Sequence, residues 1–211
     1  MTFSAAEQIN TALTKWLYET DKLVVAIDGY TGVGKTTLLN NLAKLTSNVL
    51  AVHRDDFLLP RNVVEELINK SNDRSRVFEL KINDNKKITE LIQAFKSGKA
   101  VYDFHAYNPA SGELDIAKQL DLSKKVMVIE GVFMFHPKLL NHLWDKRIYL
   151  DGDIEAIDTR RIRREKEKWG NDYFPEDHPD SYFLQVIIAL KRYQELYKPK
   201  EQADLVIHLD I

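Results

Sequence analysis

Gly29, Gly34, Lys35 and Thr36 stand at the spacing G-x-x-x-x-G-K-[ST]. Together these residue types suit one task, holding a chain of phosphates beside a divalent cation. Glycines let successive backbone N–H groups turn inward as an anion-binding nest, and a following helix adds the positive end of its dipole. Lys35 has the reach for β- and γ-phosphates, and the Thr36 hydroxyl is placed to ligate Mg2+. The whole stretch Gly29-Tyr30-Thr31-Gly32-Val33-Gly34-Lys35-Thr36-Thr37 is therefore the expected binding loop for a nucleoside triphosphate.

The same pattern can arise in an ordinary βα turn, so its neighbours matter. Leu23-Val24-Val25-Ala26 precede it as an apolar strand, and Leu38, Leu39 and Leu42 follow at helical spacing. Strand, glycine-rich loop and helix is the context in which a P-loop works.

A metal held by Thr36 needs further oxygen ligands, and a phosphoryl acceptor needs a base. Val49-Leu50-Ala51-Val52-His53 reads as a buried strand running into Arg54-Asp55-Asp56-Phe57. In open α/β sheets the ligand lies outside the carboxyl ends of the strands, which is where Asp55 arrives, although such carboxylates can also cap a turn. Val126-Met127-Val128-Ile129-Glu130-Gly131 is a second apolar strand ending in a carboxylate, a Walker-B arrangement with Glu in place of Asp. Tyr102-Asp103-Phe104-His105-Ala106-Tyr107 interleaves aromatic residues with Asp and His. Such a stretch can stack on a flat ligand or pack on itself. Arg160, Arg161, Arg163 and Arg164 lie on one basic helix spanning 154–168. That helix is either a solvated, salt-bridged surface or a source of cations for phosphates.

The elements that must position these groups follow from periodicity. Ser4 and Glu7 form a capping box ahead of a helix over 5–19 carrying Ile9, Leu13 and Trp16. Ile88, Leu91, Ile92 and Phe95 mark another helix, followed by a short strand at 100–104. A helix is expected from Pro137 through Leu143, a strand at 147–151, a helix at 181–197 and a last strand at 203–209. Residues 61–86 are polar and weakly patterned, read as a helix and a mobile segment without an assigned role. Strands near 23, 49, 126, 147 and 205 with helices between them predict a parallel, doubly wound sheet.

Composition narrows the classes. The 211 residues carry 30 Lys plus Arg against 32 Asp plus Glu, so net charge argues for neither nucleic acid nor an anionic membrane as partner. Without cysteine there is no disulfide, thiolate metal site or cysteine nucleophile, and the six scattered histidines lack zinc-ligand spacing. With no signal-like start and no stretch of 18 apolar residues, a cytoplasmic protein is expected. A GTPase switch would carry D-x-x-G and N-K-x-D. No Asp stands three residues before a Gly, and Asn69-Lys70 is followed by Ser71-Asn72. A motor ATPase would need more chain for its further domains. A small-molecule kinase accounts for Asp55, Glu130 and the arginine helix together.

Taken in order, the P-loop, Arg54-Asp55-Asp56-Phe57, Val101-Tyr102-Asp103-Phe104, Ile129-Glu130-Gly131, Ile148-Tyr149-Leu150-Asp151 with Arg160-Arg161-Ile162-Arg163-Arg164, and Tyr197-Lys198-Pro199 with Ala203-Asp204 resemble the uridine kinase-like P-loop kinases. That family includes uridine/cytidine kinases, nicotinamide riboside kinase, phosphoribulokinase and bacterial pantothenate kinase. The resemblance covers most of the chain. It implies an α/β P-loop NTPase fold, one domain over 1–211 with a doubly wound five-stranded parallel sheet, flanking helices and a lid at about 160–180.

It also implies roles. Asp55 looks like the catalytic base that also touches Mg2+, Glu130 like the second acidic group at the metal beside Thr36, and Arg161 and Arg164 like lid arginines on the phosphates with Lys35. Phe57, Tyr102, His105 and Tyr107 fall where an acceptor would bind. The implied partners are ATP and a small hydroxyl compound, a nucleoside first and a pantothenate- or sugar-type alcohol second. A P-loop NTPase without such an acceptor ranks third, and homo-oligomerisation is left open. Leu58 and Tyr107 stand where uridine kinases place a tyrosine and a histidine, and Trp169 and Asn171 where they tend to place arginines. Asp55-Asp56-Phe57 with Pro60 is closer to nicotinamide riboside kinases.

Overall fold

The structure is a computed structural model that describes residues 4–179 and 181–209, with nothing stated for the side chains of Lys168, Trp169 and Asp172. The comparison drawn above at the Trp169 side chain therefore lies outside the described residues.

Five parallel strands form the central sheet in the order β2-β5-β1-β6-β7. They are β1 (Leu23–Gly29), β2 (Val49–His53), β5 (Val126–Glu130), β6 (Lys146–Asp151) and β7 (Leu205–His208). All residues of β1 and β5 are buried, the continuous apolar pattern of strands covered on both faces. Register then does the positioning. Ile27 pairs with Glu130, and His53 pairs with Glu130 from the other side. The ends of β1, β5 and β2 thus lie level, bringing the P-loop, Glu130 and the Asp55 turn to one edge of the sheet.

Helices cover the faces. In α1 (Ala5–Leu17), the Ser4–Glu7 capping box sets the start and Ile9 and Leu13 are buried. It stops two residues short of the expected 19, with Tyr18 as its cap. The P-loop helix α2 (Lys35–Leu45) buries Leu38, Leu39 and Leu42. The basic helix α6 (Ile154–Trp169) begins at the Asp153 cap, and α7 (Tyr182–Tyr197) ends at Lys198 before Pro199. Among the described residues no helix is long and apolar enough to cross a membrane.

Two segments depart from the sequence reading, and a third agrees with it but gains a partner strand. Residues 61–86 form two helices, α3 (Arg61–Asn69) and α4 (Arg74–Leu80), around a small separate core of Ile68, Val77 and Phe78. The helix expected from Pro137 through Leu143 is only a 3-10 turn at Asn141–Leu143. Phe133, Met134, Phe135 and His136 just before it are all buried, and Trp144 Nε1 donates to the Met134 carbonyl at 2.6 Å. A surface helix buries one face, whereas four consecutive buried residues need an irregular chain anchored on every side. The expected strand at 100–104 is β3 (Val101–Ala106), which does not join the sheet. It pairs antiparallel with β4 (Ile116–Asp121), a strand whose polar sequence gave no sign of itself. The hairpin packs beside α5 (Asn85–Lys96), whose buried face is Ile88, Leu91, Ile92 and Phe95.

Candidate active site

The P-loop connects β1 to α2, and its glycines answer to their neighbours. A Cβ on Gly32, which has φ +84°, would lie 2.6 Å from the Arg161 side chain. Lys35 is buried, and its ammonium donates to the carbonyls of Gly29 at 3.0 Å and Tyr30 at 2.9 Å. Burial pulls its pKa below the ordinary lysine value, while the carboxylates of Glu130, Asp28 and Asp55 act in the opposite sense. The bottom of this loop thus holds a buried positive charge under the influence of three carboxylates.

Thr36 Oγ1 donates to Glu130 Oε1 at 2.9 Å, and His53 Nδ1 meets the same oxygen at 2.9 Å. Burial pushes Glu130 upward, but the His53 hydrogen bond, the Lys35 charge and the Thr36 hydroxyl outweigh it, so the carboxyl is held below its usual value. Asp55 occupies the 3-10 turn Arg54–Phe57 that follows β2. It is exposed to solvent at the end of the strand, with protein close around it. Desolvation by the surrounding protein, then the Glu130 charge, raise its pKa against the pull of Lys35 and Arg54. Two neighbouring carboxylates are therefore displaced in opposite directions.

The turn carrying Asp55 is fixed from behind. The buried Arg54 donates to the Val132 carbonyl and to Asn85 Oδ1, and Gly131 makes room for it, since a Cβ there would lie 2.8 Å from the Arg54 stem. The glycine after Glu130 thus lets Asp55 and Glu130 stand side by side. On the other side, Asp56 accepts from Lys118 Nζ of β4 at 2.8 and 2.7 Å, and its carbonyl accepts from the Tyr107 N–H at 2.9 Å.

The predicted acceptor residues separate. Phe57 is buried and stacks on Phe104, with ring centroids 4.7 Å apart and planes at 4°. Tyr102 shares a hairpin face with Phe104 and borders a cavity of about 400 Å³ with Glu90 and Gln93 of α5. His105 alternates to the opposite, exposed face.

The lid arginines separate too. Arg160 donates to the Gly32 carbonyl. Arg161 is buried, pairs with Asp158 at 3.0 Å and lies over the Phe183 ring at 4.3 Å. Asp158 in turn accepts from the Tyr30 hydroxyl at 2.9 Å, tying α6 to the loop. Arg164 is three residues on, about 4.5 Å further along the axis at helical rise. There it is exposed and pairs with Glu165 at 3.7 Å.

His53 and Lys118 are positioned at this site without having been singled out in advance, and Arg160 of the basic helix reaches the loop where only Arg161 and Arg164 were given roles. His53 and Lys118 carry no motif, and their partners become visible only from the strand order and the hairpin. Asp28 is another such residue. Buried on β1, it accepts from the Gly29 N–H at 2.7 Å and the Tyr193 hydroxyl at 2.6 Å, coupling α7 to the P-loop strand.

Thr36, Glu130 and Asp55 offer hard oxygen ligands, which fits Mg2+ bound through one or two carboxylates together with phosphates. Among the described residues no group of three or more acid, His or Cys side chains is arranged to hold a metal by itself.

Comparison with known proteins shows the family and the fold. A uridine kinase of Staphylococcus aureus (strain JH9) is 26% identical over 193 residues, covering 87% of this chain and 86% of the relative. Two solved structures share the fold. D-glycerate 3-kinase from Cryptococcus neoformans has a TM-score of 0.72 at 12% identity, covering 99% of this chain and 96% of that one. Phosphoribulokinase from Rhodobacter spheroides has a TM-score of 0.58 at 12% identity, covering 90% and 71%. Residues 24–209, nearly the whole chain, match the Phosphoribulokinase / Uridine kinase family, and the protein belongs to that family of P-loop kinases.

Proposed function

We propose that this kinase moves the γ-phosphate of ATP to a hydroxyl of a small molecule, with Asp55 as the base. The observation that carries the assignment is the different placement of the two carboxylates: Glu130 is buried and already engaged by Thr36 and His53, whereas Asp55 stands exposed on the turn after β2, and their pKa values are displaced in opposite directions. Environments that push neighbouring acids apart give them different tasks. Glu130, kept ionised by His53, Lys35 and Thr36, suits a cation. Asp55, open to solvent and more basic, suits a proton.

In the proposed reaction Asp55 accepts the acceptor's hydroxyl proton as that oxygen bonds to the γ-phosphorus. The bond to the β–γ bridging oxygen breaks and ADP leaves. Lys35 and Arg161 offset charge on the phosphate oxygens, where preorganised cations act with little reorganisation. Mg2+ held by Thr36 and the two carboxylates would neutralise further phosphate charge. The donor's base falls to the other side of α2. There a cavity of about 590 Å³ is bordered by Gly34, Thr37, Asn41, Arg160 and Leu209, a volume suited to a nucleoside.

A nucleoside is the first acceptor proposed, on the likeness to uridine kinases and the half-buried Tyr102 and Phe104 of the hairpin. A smaller, non-aromatic alcohol is the second. It is favoured by one observation: Phe57 and Phe104 stack on each other, so the faces between them are not open to a base. An ADP-release assay across nucleosides, sugars, glycerate and pantothenate tests both. ATP-dependent turnover on one of these is expected. Absence of turnover on every one, with ATP bound, would overturn the small-molecule reading.

A further inference from the structure

The helix α1 precedes the segment shared with the family, which begins at residue 24. It nevertheless borders a cavity beside the P-loop helix. Around α2 the residues divide by helical phase. Thr36 faces Glu130. Gly34, Thr37, Leu38 and Asn41, at i, i+3, i+4 and i+7, share a different face and border the 590 Å³ cavity. The opposite wall of that cavity is Ser4, Ala5 and Ala6.

Sequence fixes that wall. The Ser4–Glu7 capping box starts α1 at Ala5, with Ser4 N donating to Glu7 Oε2 at 2.7 Å and Glu7 N to Ser4 Oγ at 3.3 Å. Ile9 at 0% and Leu13 at 3% exposure anchor the following turns in the core, so the first turn cannot slide along α2. Ala6 is buried, Ala5 only partly. Two methyl side chains in succession keep the cavity wide, where any longer side chain at position 5 would extend into it.

We infer that the first turn of α1 is a wall of the donor-nucleotide base pocket and that Ala5 determines how much room the base has. The inference rests on the kinase reading above, because it takes the triphosphate to lie in the P-loop. Phosphates would lie against Lys35, Thr36 and the loop N–H groups, and neither Lys35 nor Thr36 borders the cavity that Ser4, Ala5 and Ala6 line. A bulky residue at position 5 should therefore penalise the base and spare the phosphates.

The test is calorimetric titration of the full chain with Mg–ATP and, separately, with Mg–tripolyphosphate, which has no base. Ala5→Trp is expected to weaken ATP about tenfold while leaving tripolyphosphate within about twofold of wild type. Ala5→Leu is expected to lie between, and it carries the comparison if Ala5→Trp lacks a cooperative melt. Unchanged ATP affinity in both variants would overturn the inference and leave the kinase reading standing. So would an equal loss for both ligands, which would place the effect in the P-loop. Wild-type protein that bound neither ligand would overturn the kinase reading and this inference with it.

Discussion

On the side of the cleft proposed for the donor, Gly34, Lys35 and Thr36 sit within one strand–loop–helix turn, and Lys35 reaches carbonyls only five and six residues away. On the acceptor side, Asp56 and Lys118 lie 62 residues apart, and Phe57 stacks on Phe104 from a separate hairpin. The donor side is a continuation of the sheet, closed by backbone geometry. The acceptor side is a two-stranded hairpin, a unit of marginal stability by itself, pinned to the Asp55 turn by one ion pair, one ring stack and the Tyr107 N–H. The proposed donor machinery is therefore held by local backbone geometry, whereas the proposed acceptor surface can change through a few side chains. A family with one donor chemistry and varied acceptors is what such a division allows.

Removing Lys35 should have the largest effect. Lys35→Ala is expected to lower turnover by at least about a thousandfold, since preorganised charge at the transferring group is a dominant contribution. Circular dichroism should report an unchanged fold, because Lys35 bonds only loop carbonyls. Near-normal ATP-dependent turnover in this variant would remove the phosphate-loop assignment.

Asp55→Asn comes next, with kcat expected to fall by roughly two or more orders of magnitude and ATP affinity little changed. Glu130→Gln should instead raise the Mg2+ concentration needed for half-maximal rate. The pH dependence has a definite sign. Asp55 accepts a proton only when ionised, and its pKa is raised. The rate of wild type should therefore fall as pH is lowered and Asp55 takes up its proton. A raised folded-state pKa also means that the native state holds its proton longer than the unfolded chain does. Stability from this group is present on the acid side and is lost as pH rises through the folded pKa. Asp55→Asn should consequently melt at an equal or higher temperature than wild type at neutral pH. A clearly lower melting temperature there would contradict the crowded, acid-rich environment described for Asp55.

The arginines of α6 separate the donor side further. Arg161→Ala should raise KM for ATP and lower kcat by about ten- to a hundredfold, as loss of one charged donor to a phosphoryl group does. Arg164→Ala should be several times milder, because Arg164 is exposed beside Glu165 and Arg161 is buried against Asp158 and Phe183. Equal defects in steady-state assays would mean that α6 closes so as to bring Arg164 in.

The donor side could be read from sequence because its groups are local: a nest, a lysine and a hydroxyl within nine residues of β1 and α2. The sheet was legible for a related reason, since buried parallel strands are continuous apolar runs such as Val126-Met127-Val128-Ile129. The hairpin strand Ile116–Asp121 was not, because an exposed strand of polar residues carries no periodic apolar signal. His53 at Glu130 was hidden for another reason. That pair exists because β2 lies beside β5 and not β1, and strand order is a property of the whole fold. The region 61–86 looked mobile because α3 and α4 bury few apolar residues each and share a core too small to mark either helix.

The smallest expected effect tests the hairpin side directly. Lys118 and Asp56 are partly exposed, at 34% and 20% of their side chains, and such an ion pair contributes about 0.5–1 kcal/mol. Lys118→Met keeps the stem that packs beside Phe104 and removes only the charge. If the pair pins the hairpin to the Asp55 turn, the acceptor's KM should rise about two- to fivefold, the factor that 0.5–1 kcal/mol represents. KM for ATP should move less, because the hydrogen bonds of Lys118 go to Asp56 and not to the P-loop. Asp56→Asn should give a similar rise, and the double variant should be no worse than either single one, since both remove the same contact. A matching rise in KM for ATP would show that the two sides of the cleft are coupled through the Asp55 turn. Additive defects would mean that Lys118 and Asp56 act on the acceptor separately and not as a clamp on the hairpin.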